Sequence, residues 1–155
     1  MKIKNVSVNN RKKSIDIETA KGLFSLPFSR LKLKPTKKNP IAEIFVDKEL
    51  ANHGITYRLA TGKEDSIHED AFLDYNRDPD YLREVILHEL SVEANKLIKS
   101  VGLSKHEIIR RLSTSPSQLY RLLDTANTRK SVDEMLRLFA VLGSTVELNV
   151  VREVA

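Results

Sequence analysis

The chain has no cysteine and no tryptophan, and only five glycines and five prolines among its 155 residues. Without cysteine there is no disulfide framework, and the sulfur ligands of a structural zinc site are missing too. So little glycine and proline argues against collagen-like repeats and low-complexity disorder. No apolar run approaches the roughly 20 residues of a membrane span, and the start lacks the apolar stretch of a signal peptide. A cytoplasmic protein without membrane contact is therefore expected. Hydrophobic residues make up 41% of the chain, enough for one modest core or two small ones.

Charge of one sign is scarce in blocks. Residues 1–38 carry 11 Lys/Arg against 2 Asp/Glu, residues 39–93 carry 5 against 13, and residues 94–155 carry 10 against 6. The chain is basic at both ends and acidic between, although its net charge is only +5. A solvated surface produces such blocks by itself, and two basic ends also suit a polyanion.

The first half has β character. "KIKNVSV" places Ile3, Val6 and Val8 among polar residues. "SIDIE" puts Ile15 and Ile17 on one face, ahead of the turn "TAKG" and the apolar "LFSLPF". After a Lys- and Pro-containing loop come "IAEIFVD", "ITYRL", the turn "ATGK" and a return segment ending near Ile67, a second hairpin signal. The acidic "HEDAFLDY" reads as a brief helix that closes a small β-rich α+β domain over residues 1–77.

A second domain is expected over residues 78–155. Asp78 caps a helix with Pro79 at its first position, where a missing N–H costs nothing. The apolar series Leu82, Val85, Ile86, Leu90, Ala94, Leu97, Ile98 and Val101 predicts a long amphipathic helix, ended by Gly102. Ser104 with Glu107, and Ser131 with Glu134, have the spacing of capping boxes. The first opens a helix burying Ile108, Ile109 and Leu112; the second opens one burying Val132, Met135, Leu136, Phe139 and Leu142. Between them Ser115 and Pro116 start a third helix, with Leu119, Leu122 and Leu123 on its apolar side.

Ser117, Gln118 and Arg121 share much of that helix's opposite side. The connection to the preceding helix is too short for a long antiparallel hairpin, so the two helices should cross steeply and turn this polar face outward. Such a helix suits the major groove of duplex DNA, where Gln pairs with adenine and Arg with guanine. Lys105, Arg110, Arg111, Arg129 and Lys130 would surround it with charge suited to phosphates.

Residues 95–143 resemble the Xre/Cro/lambda-repressor family of helix-turn-helix domains, through "LSKHEIIRRLSTSPSQLYRLLD" and "SVDEMLRLFAVLG". The resemblance implies that Ser117, Gln118 and Arg121 face bases. It also implies that Lys105, Ser115, Tyr120 and the loop Asn127, Thr128, Arg129, Lys130 lie near the sugar-phosphate backbone, with Arg110 and Arg111 close by. The sequence departs from the family pattern at Ser113 (usually Gly), Ile109 (usually small) and Leu123 (usually polar). More weakly, "IFVDKELANHGITYRLATGKEDSIHEDAFL" resembles a small bacterial β-rich domain to which no chemistry is assigned. Neighbours of both kinds occur in toxin-antitoxin operons, so an antitoxin with a cognate toxin partner is implied by association.

The tail "STVELNVV" alternates Val146, Leu148 and Val150 with Glu147, Asn149 and Val151, the pattern of a strand with one buried face. It would pair with the N-terminal sheet or with its own copy across a two-fold axis, the second arrangement building a homodimer. "HELSVE" at His88 begins like a zinc-protease motif, but Val92 stands where the second imidazole is required. "TGKED" reads as a hairpin turn, since Glu64 replaces the hydroxyl of a phosphate loop. Glu69, Asp70, Asp74, Asp78 and Asp80 read as surface charge near helix starts. No metal, cofactor or enzymatic activity is expected.

The sequence thus predicts an α+β protein: a β-rich domain, then an all-α helix-turn-helix domain with a C-terminal strand. Its expected role is a repressor binding a palindromic DNA operator as a homodimer. The competing expectation is a protein-interaction or RNA-binding adaptor without operator specificity.

Overall fold

The structure, a computed structural model, describes residues 1–152. In chain order it contains β1 (Ile3–Asn9), β2 (Ser14–Thr19), β3 (Gly22–Pro27), β4 (Ile41–Val46), β5 (Gly54–Leu59), β6 (Glu64–His68), α1 (Glu69–Tyr75), α2 (Pro79–Ser100), α3 (Lys105–Leu112), α4 (Pro116–Leu123) and α5 (Val132–Val141). Two units divide the chain, Met1–Leu82 and the residues from Arg83 onward.

In the first unit β1-β2-β3 and β4-β5-β6 form two three-stranded antiparallel sheets. The central strands carry the alternation that buries a face: Ile15 and Ile17 on β2, and Ile55, Tyr57 and Leu59 on β5, all lie in one core with Phe72 of α1. Burying each such side chain is worth about 1.5–3 kcal/mol. Gly54 opens β5 where a larger residue would require Leu50 to move and would crowd the backbone of β6. A Cβ there would stand 2.6 Å from Leu50 Cδ1 and 3.0 Å from the Ile67 carbonyl oxygen.

The second unit packs α2, α3, α4 and α5 around Leu87, Ala94, Ile108, Leu119, Leu122, Met135, Leu138 and Phe139. The fully buried residues of α2 are Leu87, Ser91 and Ala94; of the expected apolar series Ala94 is among them, Leu90, Leu97, Ile98 and Val101 pack against the same core, and Ile86 is exposed. Ser91 escapes a hydropathy pattern because it is polar. On α5 the inward face is Met135, Leu138, Phe139 and Leu142, while Val132 and Leu136 are exposed. Ser131 and Glu134 form the reciprocal capping box. At α3 only half of the expected box exists: Ser104 caps the Glu107 N–H, but the Glu107 carboxylate turns to Arg110 and Arg111.

The expected fold needs correction at its C-terminal end. The chain is α+β with two antiparallel sheets, five helices among the described residues, and all its described strands in the N-terminal half. Residues 144–150 contain no strand. Leu148 and Val150 are 86% and 83% exposed, and Val146 is 42% exposed. Alternating apolar residues confer strand propensity, but a strand needs a ladder partner for its N–H and C=O groups.

Candidate nucleic-acid interface

Three residues, Ser113, Thr114 and Ser115, connect α3 to α4. Ser113 ends α3 in the left-handed conformation (φ 52°, ψ 48°), and its N–H and that of Thr114 close onto the Arg110 and Ile109 carbonyls. That backbone is disfavoured by about 1–2 kcal/mol for a residue with a Cβ. Ser115 Oγ then accepts from the Gln118 N–H at 3.3 Å and contacts Ser117 Oγ at 3.1 Å, with Pro116 beginning α4. Leu119, Leu122 and Leu123 are buried. Ser117, Gln118 and Tyr120 are exposed.

The expected base-facing trio is therefore split in two. Ser117 and Gln118 face solvent, whereas Arg121 is committed within the unit. Its Nε donates to Gln118 Oε1 at 2.9 Å, one terminal nitrogen donates to the Arg129 carbonyl at 2.6 Å, and the other meets the Glu134 carboxylate. The Glu134 carboxyl is held below its ordinary range, first by Arg121 and then by the Ser131 N–H. A guanidinium only donates, so Gln118 meets it with its amide oxygen, leaving the amide nitrogen and one oxygen lone pair for other partners.

The expected phosphate contacts also divide. Lys105 is exposed, with Nζ 5.0 Å from the centroid of the Tyr120 ring, a cation–π pair joining the start of α3 to α4. Arg129 is exposed and its guanidinium makes no ion pair among the described residues. Arg110 and Arg111 share the Glu107 carboxylate, which falls to about 2 chiefly because their side chains hydrogen-bond it. One negative charge offsets part of theirs.

Lys130 does not belong with these residues. It is 4% exposed, and its ammonium donates to the carbonyls of Leu122 and Asp124 at 2.8 Å and to Ser91 Oγ. Burial lowers its pKa. A cation among the carbonyls that end α4 is a C-terminal cap, out of reach of a phosphate.

The loop from Asp124 to Lys130 is fastened at almost every residue. Ala126 N–H bonds Asp124 Oδ1 at 3.0 Å, and Arg129 N–H bonds Asn127 Oδ1 at 2.8 Å. From α2, Arg83 donates to the carbonyls of Thr128 and Lys130, His88 Nδ1 lies 3.0 Å from the Thr125 carbonyl, and Asn95 donates to the Leu123 carbonyl at 2.8 Å. Asn127 and Thr128 are half-buried in this lattice. The polar row Arg83, His88, Ser91 and Asn95 is silent in the sequence because its partners are backbone carbonyls, which leave no trace in side-chain patterns. It also explains His88 without a metal.

No group of three or more metal-ligating side chains suited to an ion occurs among the described residues, and no described helix is long and apolar enough to cross a membrane. Comparison of the chain with protein-family models, curated proteins and solved structures finds no match.

Proposed function

We propose that the protein is a sequence-specific duplex-DNA-binding regulator that represses from a palindromic operator as a homodimer, with α4 entering the major groove. The observation that carries this reading is the division of α4: three leucines buried on one side, and Ser117, Gln118 and Tyr120 exposed on the other, three residues after α3. The resemblance of residues 95–143 to helix-turn-helix repressors supports it.

Gln118 is the base reader in this proposal. Its free amide N–H and remaining oxygen lone pair are the donor and acceptor that adenine N7 and N6 require. Arg121 positions the amide rather than touching a base. Lys105 and Arg129 contact phosphates beside the groove, and the fastened loop holds Arg129 in place.

A dimer would place two α4 helices about 34–36 Å apart, one turn of DNA. Val132 and Leu136, one turn apart on α5 and both exposed, offer apolar surface for pairing. Autoregulation of an operon that also encodes a toxin fits the same reading.

Selection of bound duplexes from a random pool tests the proposal. A single enriched motif with two-fold symmetry is expected. Recovery of unrelated sequences, or of single-stranded RNA in preference to duplex DNA, would contradict it. A stable monomer at micromolar concentration in sedimentation would remove the dimer alone.

A further inference from the structure

Away from α4, the segment following β3 carries Arg30, Lys32, Lys34, Lys37 and Lys38 and no acidic residue. Burial alternates along it. Leu31 is 4% exposed and Leu33 packs against the first unit's core, while Lys32 and Lys34 are exposed.

The backbone beneath these cations is fixed. Tyr57 Oη donates to the Leu33 carbonyl at 2.8 Å and accepts from the Leu33 N–H at 3.2 Å. Thr36 and Asn39 close a turn around Lys37 and Lys38, each N–H bonding the other's carbonyl at 3.1 and 3.2 Å. Asn39 Oδ1 in turn accepts from the Thr61 N–H at 3.1 Å, and the Pro40 carbonyl from the Ala60 N–H at 2.9 Å.

None of Lys32, Lys34, Lys37 and Lys38 makes an ion pair among the described residues, although Lys21 and Arg58 of the same unit are both paired with carboxylates. Four like charges on an ordered stretch repel one another, and fixing their backbone in advance lowers the entropy lost on binding. Spread along a strip, they suit a long partner with repeating negative charge and no demand for bidentate geometry, since an ammonium acts as a point charge.

We propose that this segment binds the phosphate backbone of duplex DNA, as a sequence-independent contact additional to α4. The choice of DNA as the polyanion rests on the reading of α4 given above.

The test uses the full chain carrying K32Q/K34Q/K37Q/K38Q, its fold checked by circular dichroism and melting. Binding is measured across a salt series to the selected operator and to a scrambled duplex of equal length. Affinity for both should fall by the same factor. The slope of log K against log salt should become shallower by about 0.9 for each phosphate no longer neutralised, about 3 to 4 if all four lysines engage. The corresponding quadruple Lys→Arg variant should keep the parent slope. An unchanged slope in the folded Gln variant overturns the proposal, as does loss of binding to anionic-lipid vesicles with DNA binding intact. If no sequence is preferred, the α4 reading fails, but the slope on scrambled duplex still reports on this segment, so the two failures are distinguishable.

Discussion

Arg121 Nε donates to Gln118 Oε1 at 2.9 Å, while the rest of the guanidinium bridges the Arg129 carbonyl and the Glu134 carboxylate. One arginine thus ties the exposed amide of α4 to the loop that follows and to the capping box of α5. The pair is partly exposed, and exposed ion pairs contribute up to about 1 kcal/mol. A double-mutant cycle with Arg121→Ala and Glu134→Ala should give a favourable coupling on the order of 0.5–1 kcal/mol, measured by urea unfolding. Additive single effects would show that the ion pair contributes nothing to stability.

Lys130→Met should destabilise the second unit by about 1–3 kcal/mol, because the carbonyls of Leu122 and Asp124 lose a buried donor. The slope of DNA binding against salt should stay at its parent value. Melting and a salt series read the two effects separately, and a shallower slope with unchanged melting would make Lys130 a phosphate contact after all.

Ser113 holds a left-handed backbone at φ 52° between α3 and α4. Ser113→Gly removes the Cβ clash but adds freedom to the unfolded chain, so the net gain should be about 1 kcal/mol or less. A raised melting temperature is the expected result. Ser113→Val should lower it, since a β-branched residue tolerates this region poorly.

Acid should loosen α3 within a defined window. The Glu107 carboxyl sits at about 2 against an ordinary 4.5, first through its hydrogen bond to Arg110 and then through Arg111. With the folded value depressed, the stabilisation is complete above about 4.5 and is lost as pH falls towards 2. Melting temperatures of the parent chain and Glu107→Gln should differ at neutral pH and converge near the bottom of that range. A constant difference at all pH values would rule out the carboxylate as its source.

Hydrophobic spacing and caps made much of the fold legible. Ser115 with Pro116, Ser131 with Glu134, and the alternation of Ile15 with Ile17 each act within a few residues, so their signals survive in sequence. What failed depended on distant partners. Val146, Leu148 and Val150 have strand character but no ladder among the described residues, and Lys130 reads as surface charge in the sequence whereas Ser91 and the end of α4 enclose it in the fold. At the candidate site, the exposure of Ser117 and Gln118 followed from helical period, whereas the capture of Arg121 by Glu134 required the course of the loop between them.

The most direct test is the response of base preference to Gln118, read on the selected operator with every base pair substituted in turn. Gln118→Ala should relax preference at one position per half-site by about 1–3 kcal/mol, and 7-deazaadenine at that position should cost the parent protein a similar amount but the variant almost nothing. Equal weakening on all sequences, or no change at all, would contradict the placement of α4 in the major groove.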